Sequence, residues 1–119
     1  MYGVIYMWRV KPHKLAEHDA LMKEVLRVER ERCPEVLVNL TYGPAADGTC
    51  AEIQVYPDEA TSRTFGERVE REDPELQGLW ARFGDLTDPA GAKSFRFEGM
   101  DFLEQSFVRR AAGLWSAPD

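Results

Sequence analysis

The stretch Val36–Ala60, VLVNLTYGPAADGTCAEIQVYPDEA, decides the fold. Its two ends of apolar and β-branched residues, Val36–Tyr42 and Thr49–Tyr56, read as strands. Gly43-Pro44-Ala45-Ala46-Asp47-Gly48 between them is rich in turn residues, so the pair reads as a hairpin. In the second strand Ala51, Ile53 and Val55 point one way and Glu52 and Gln54 the other. Pro57 and Asp58 then open a helix. Asp58 is suited to accept from the free amides of the first turn, and Glu59 adds favourable negative charge there.

Upstream, Tyr2–Val10 is a short aromatic and β-branched run without proline, hence a strand. Pro12 ends it and suits the first turn of a helix. From His13 to about Arg32 the period becomes helical, with Leu15, Met22, Val25 and Leu26 at spacings of three, four and seven. Pro34 stops that helix. Downstream, the helix begun at Asp58 runs to about Arg71. Asp73-Pro74-Glu75 opens a further short helix carrying Leu76, Leu79, Trp80 and Phe83 on one face. Leu86–Ala92 reads as a loop and Ser94–Phe102 as the last strand. The tail, Leu103–Asp119, has no decisive pattern. The charged run Glu67–Asp73 reads as a solvated helix face. The order β-α-β-β-α-(α)-β predicts an α+β, ferredoxin-like split β-α-β fold. Its four strands form one antiparallel sheet with the helices on one face.

At 119 residues the chain is expected to form one domain, 1–119, able to fold without disulfide or metal. A formal charge of −6 argues against a duplex nucleic-acid partner. No apolar run approaches the roughly 20 residues that span a bilayer, and the N-terminus lacks the basic flank of a signal peptide. Cys33 and Cys50 form no C-x-x-C pair and read as free thiols in a reducing cytoplasm. Alternation permits Arg9, Asn39, Thr41, Glu52, Gln54, Arg96 and Glu98 to share one sheet face. The other face, to lie under the helices, then holds Val4, Tyr6, Trp8, Val38, Leu40, Tyr42, Ile53, Val55, Phe95 and Phe97. The polar face still carries Ile5 and Met7, and a second copy meeting it across a two-fold axis would cover it. A homodimer is therefore expected.

The element order, the length, Val10-Lys11-Pro12 before the first helix and Tyr56-Pro57-Asp58-Glu59-Ala60 before the second resemble the dimeric α/β-barrel superfamily. Within it the chain is most similar to the antibiotic-biosynthesis-monooxygenase-like branch, over roughly residues 2–102. The superfamily includes cofactor-independent monooxygenases, haem-degrading enzymes, lactone isomerases and proteins of unknown activity. The resemblance implies a site between sheet and helices, and oxygenation without a cofactor. Haem-degrading members use an Asn on the first strand and a late His; this chain has neither.

Among individual residues, His18 falls at the centre of the apolar stripe of the first helix and should face the sheet. It is the candidate catalytic proton acceptor, with a satisfied core histidine as the structural alternative. Tyr6, Trp8, Tyr42 and Trp80 are the candidate contacts of a small aromatic or quinone-like ligand, or else ordinary core. Glu29 lies near the same stripe and either reaches past the helix end or pairs with Arg32 or a tyrosine. His13 and His18 are about 140° apart on a wheel, so no metal site is expected. Gly-rich phosphate loops, nucleophile elbows and dinucleotide fingerprints are absent from the sequence. An enzyme, a non-catalytic ligand-binding domain and a purely structural dimer all fit these features. An open cavity favours the first two.

Overall fold

The computed structural model describes residues 1–99 and Gln105. Its elements are β1 (Tyr2–Val10), α1 (Leu15–Arg32), β2 (Val38–Tyr42), β3 (Thr49–Tyr56), α2 (Glu59–Glu67), a π-helical turn (Arg68–Glu72), α3 (Pro74–Leu86) and β4 (Thr87–Phe97). The strands form one antiparallel sheet in the order β2-β3-β1-β4, the ferredoxin-like arrangement expected. Among the described residues no helix is long and apolar enough to cross a membrane.

The helices start where their capping chemistry permits. The Asp58 carboxylate accepts from the Thr61 amide at 2.7 Å. Asp73 accepts from the Glu75 and Leu76 amides at 3.1 and 3.2 Å, with Pro74 in the first turn of α3. α1 begins two residues later than Pro12 suggests, because His13 takes a left-handed turn at φ 66°. Its buried stripe is His18, Leu21, Met22, Val25, Val28 and Glu29, a helical repeat of threes and fours that excludes exposed Leu15. Of these, Leu21, Met22, Val25 and Val28 share one core with Tyr2, Val4, Trp8 and Val10 of β1 and with Leu76, Leu79 and Leu86 of α3. Each such Leu or Val contributes roughly 1.5–3 kcal/mol by leaving water.

Two expectations are corrected. The last strand begins at Thr87, so the segment read as a loop is paired: Arg9 lies opposite Asp88 and Val10 opposite Thr87. β4 is an edge strand, and its register shifts between Met7 and Arg9, so Pro89 interrupts no ladder on its free side. Gly91 permits the close approach, since a Cβ there would stand 2.9 Å from Arg9 Cβ. The predicted end of this strand at Met100–Phe102, and the tail apart from Gln105, lie outside the described residues.

The second correction concerns the faces. Val4 pairs with Gln54 and Arg96, and Tyr6 with Glu52 and Ser94. Asn39 pairs with Gln54 and Thr41 with Glu52. Directly opposed residues share a face, so Asn39, Thr41, Glu52, Gln54 and Arg96 lie on the helix side with Val4, Tyr6 and Trp8. Ile5, Met7, Val38, Leu40, Tyr42, Ile53, Phe95 and Phe97 lie on the other side. Those polar residues lie on the inner face, whereas Arg9 alternates with Trp8 onto the outer side as expected, and the outer face is otherwise mostly apolar. Phe95 and Phe97 are 50% and 43% exposed there.

Candidate active site

A cleft of about 830 Å³ lies between the sheet and the α2–α3 layer. Alternation on β1 and β3 builds its floor from Tyr2, Tyr6, Trp8, Glu52, Gln54 and Tyr56, with Arg96 contributed by β4. Phe65, Val69, Trp80 and Phe83 form the opposite wall, and Arg63, Glu67, Glu70 and Arg71 also line it. In the run read as a solvated face, Glu67, Glu70, Arg71 and Glu72 are exposed, and Glu67, Glu70 and Arg71 also border the cleft. Phe83 stands edge-on between two indoles, 5.2 Å from Trp8 and 5.2 Å from Trp80 between ring centroids. Such edge contacts hold aromatic walls in fixed orientation. The Trp80 indole Nε1 is buried and makes no hydrogen bond among the described residues.

Three of the four predicted ligand contacts, Tyr6, Trp8 and Trp80, line this cleft. Tyr42 does not. Its position on β2 puts it on the outer face, 57% exposed, because register rather than aromatic character decides the side. His18 is buried and turned toward the sheet, as the helical wheel indicates. The Trp8 indole Nε1 donates to His18 Nε2 at 2.9 Å, so in the neutral ring the proton sits on Nδ1. Burial lowers the His18 pKa, against a smaller opposing pull from Asp19. The ring is thus neutral but already engaged, and His18 is not among the residues lining the cleft.

A buried carboxyl that does line the cleft is Glu52, expected on the outer face. It belongs to a buried polar network under α1. The Asn39 amide Nδ2 donates to Glu29 Oε2 at 2.5 Å and to Glu52 Oε2 at 3.2 Å. Thr41 Oγ1 lies 2.7 Å from Asn39 Oδ1 and 3.3 Å from Glu52 Oε2. Gln54 Nε2 donates to Glu29 Oε1 at 3.3 Å, and the Tyr56 hydroxyl donates to Gln54 Oε1 at 2.6 Å. Glu29 therefore pairs with neither Arg32 nor a tyrosine directly; it reaches β2 and β3.

Burial pushes the Glu52 carboxyl up to about 7, opposed by hydrogen bonds from Asn39 and Thr41. Glu29 is pushed up to about 8 by burial first and the Glu52 charge second. Burial also raises the Tyr6 and Tyr56 phenols, with Arg96 partly opposing at Tyr6. A carboxyl poised near neutrality beside an aromatic cleft can exchange a proton with a bound molecule. Among the described residues no group of three or more His, Cys, Asp or Glu is placed to hold a metal ion. Cys33 and Cys50 are both free and buried.

The class defined by this sheet order and helix placement is the fold of the antibiotic biosynthesis monooxygenases, as the resemblance anticipates. The crystal structure of one antibiotic biosynthesis monooxygenase superimposes with a TM-score of 0.68 at 17% identity, covering 85% of this chain and all of that one (100%). SnoaB, a cofactor-independent oxygenase from Streptomyces nogalater, matches with a TM-score of 0.67 at 13% identity, over 87% of this chain and 97% of its own. A conserved protein from Methanosarcina mazei Go1 matches with a TM-score of 0.66 at 14% identity, over 82% and 90%. No family model and no curated protein matches the sequence.

Proposed function

We propose that the chain is an oxygenase of the antibiotic-biosynthesis-monooxygenase type. In this reading it binds a small phenolic or quinone-like aromatic compound in the cleft and oxidises it with O₂, without a bound cofactor. The observation that carries the reading is Glu52, a buried carboxyl near neutrality on the floor of an aromatic-walled cleft. Tyr6, Trp8, Trp80 and Phe83 supply faces and edges for a flat ring, and the Trp80 N–H is available to a ligand oxygen. Glu52 takes the phenol proton. The para carbon of the phenolate attacks O₂, and the peroxide formed takes the proton back. Loss of the C–H proton and cleavage of the O–O bond then yield a quinone carbonyl and one water. Phenol plus O₂ gives quinone plus water, the substrate being oxidised and both oxygen atoms reduced. His18, the residue expected to be the base, serves in this reading by holding Trp8 in place.

1-Naphthol is a suitable probe, because its free para position permits the whole sequence. It should raise the melting temperature of the protein, since a ligand of the native state stabilises it. Oxygen uptake with formation of 1,4-naphthoquinone should follow and be lost in Glu52→Gln with binding retained. Binding without oxygen uptake would leave a non-catalytic binding domain; failure of every aromatic compound to bind would remove the reading.

We further propose a homodimer that buries the outer sheet face through its apolar residues, among them Ile5, Leu40, Ile53, Phe95 and Phe97. An exposed apolar face of this breadth supports a protein partner, and a second copy of the same face closes with two-fold symmetry.

A further inference from the structure

Behind Glu52, away from the cleft, stands a second carboxyl to which the oxygenase reading gives no task. Glu29 Oε2 and Glu52 Oε2 accept from the same Asn39 nitrogen at 2.5 and 3.2 Å. The two oxygens therefore lie within about 6 Å of each other, the range in which like charges displace one another's titration. Among the described residues neither carboxyl has a lysine or arginine partner. The charged and titratable neighbours can be taken element by element. β1 presents Tyr6 opposite Glu52. β3 presents Tyr56, bonded to Gln54. β4 presents Arg96, which is engaged with Tyr2 and Tyr6. The segment after α1 presents Glu35, which is ion-paired with Arg68. Arg63, Glu67, Glu70 and Arg71 of α2 and the π-helical turn and Lys93 of β4 also line the cleft that Glu52 reaches, and among the described residues none forms an ion pair with either carboxyl; both carboxyls are buried.

The donors are also unequally arranged. Both Glu29 oxygens accept amide hydrogens, from Gln54 and from Asn39. At Glu52 the Asn39 and Thr41 contacts both go to Oε2, and no described residue donates to Oε1. Glu52 reaches the cleft and Glu29 does not.

We propose that Glu29 and Glu52 titrate as one pair across Asn39: Glu52 gives up its proton first, and Glu29 keeps its own while Glu52 is charged. This rests on the reading of Glu52 as the proton acceptor of the cleft. When Glu52 ionises, its charge holds the remaining proton on Glu29, so the pair carries one negative charge rather than two. Burial and the Glu52 charge raising Glu29 to about 8 agree with this order. The two steps belong to the pair as a whole.

Infrared spectra of the ligand-free full chain, titrated from about pH 5 to about pH 10, read the protonated carboxyl C=O stretch directly. The wild type should lose this signal in two steps, the upper one above neutrality. In Glu52→Gln a single step should remain, at least about one pH unit below the wild-type upper step, because the neighbouring charge is gone. In Glu29→Gln the Glu52 step should stay near neutrality. An upper step unmoved by Glu52→Gln would overturn the pairing. If a variant does not fold, the wild type alone still decides: no protonated carboxyl above about pH 6 removes the proposal. A single step near neutrality that Glu52→Gln abolishes would overturn the pair and leave the reading of Glu52 as the proton acceptor standing. An intact two-step titration in a protein that neither binds 1-naphthol nor consumes oxygen with it removes that reading and keeps the pair.

Discussion

Replacing Glu29 by Gln should make the protein more stable at alkaline pH and nearly unchanged at acid pH. Native Glu29 keeps its proton up to about 8, against an ordinary value of 4.5. The native state therefore binds more protons than the unfolded chain throughout that window, and stability falls as pH rises through it. The contribution is fully present below about 4.5 and fully lost above about 8. At about 1.4 kcal/mol per pH unit the loss is on the order of 5 kcal/mol, comparable with the whole stability of a small domain. A Gln in the same place stays neutral and can still accept from Asn39 or Gln54. Urea unfolding followed by tryptophan fluorescence at about pH 5 and about pH 9 gives the measurement. The difference between variant and wild type cancels the titrating groups that do not interact with Glu29. The wild type should weaken by several kcal/mol between the two conditions, and the variant by much less. Parallel pH dependences in the two proteins, or a wild type more stable at the higher pH, would refute the assignment of a buried protonated Glu29.

Substituting His18 by Ala should cost about 2–4 kcal/mol, since it strands the buried Trp8 N–H and leaves a void; denaturant midpoints check this. Phe95→Asp should convert a dimer to a monomer at micromolar concentration without unfolding it, as seen by sedimentation; a wild type that is itself monomeric there would remove the dimer. Asp73→Ala should destabilise by about 1 kcal/mol through loss of the α3 cap, read as a lowered thermal midpoint.

Element identity was legible in the chain because it is written in local patterns. Alternation in TCAEIQVY, the Asp58 and Asp73 caps and the three-four repeat of α1 each act within a few residues. The connection order then leaves few topologies, and the split β-α-β sheet follows. The orientation of His18 toward the sheet was legible for the same reason, as was the placing of Tyr6, Trp8 and Trp80 between sheet and helices. What alternation does not carry is which of two mixed faces meets the helices. That choice came from cross-strand register, Tyr6 against Glu52 and Asn39 against Gln54, which joins residues distant in sequence. It turned Tyr42 outward and brought Glu52 into the cleft. A glutamate in a strand reads as solvent-facing on its own, because a lone buried charge is prohibitive. Only the tertiary structure supplies Asn39 and Thr41, the hydrogen-bonding partners that make its burial tolerable.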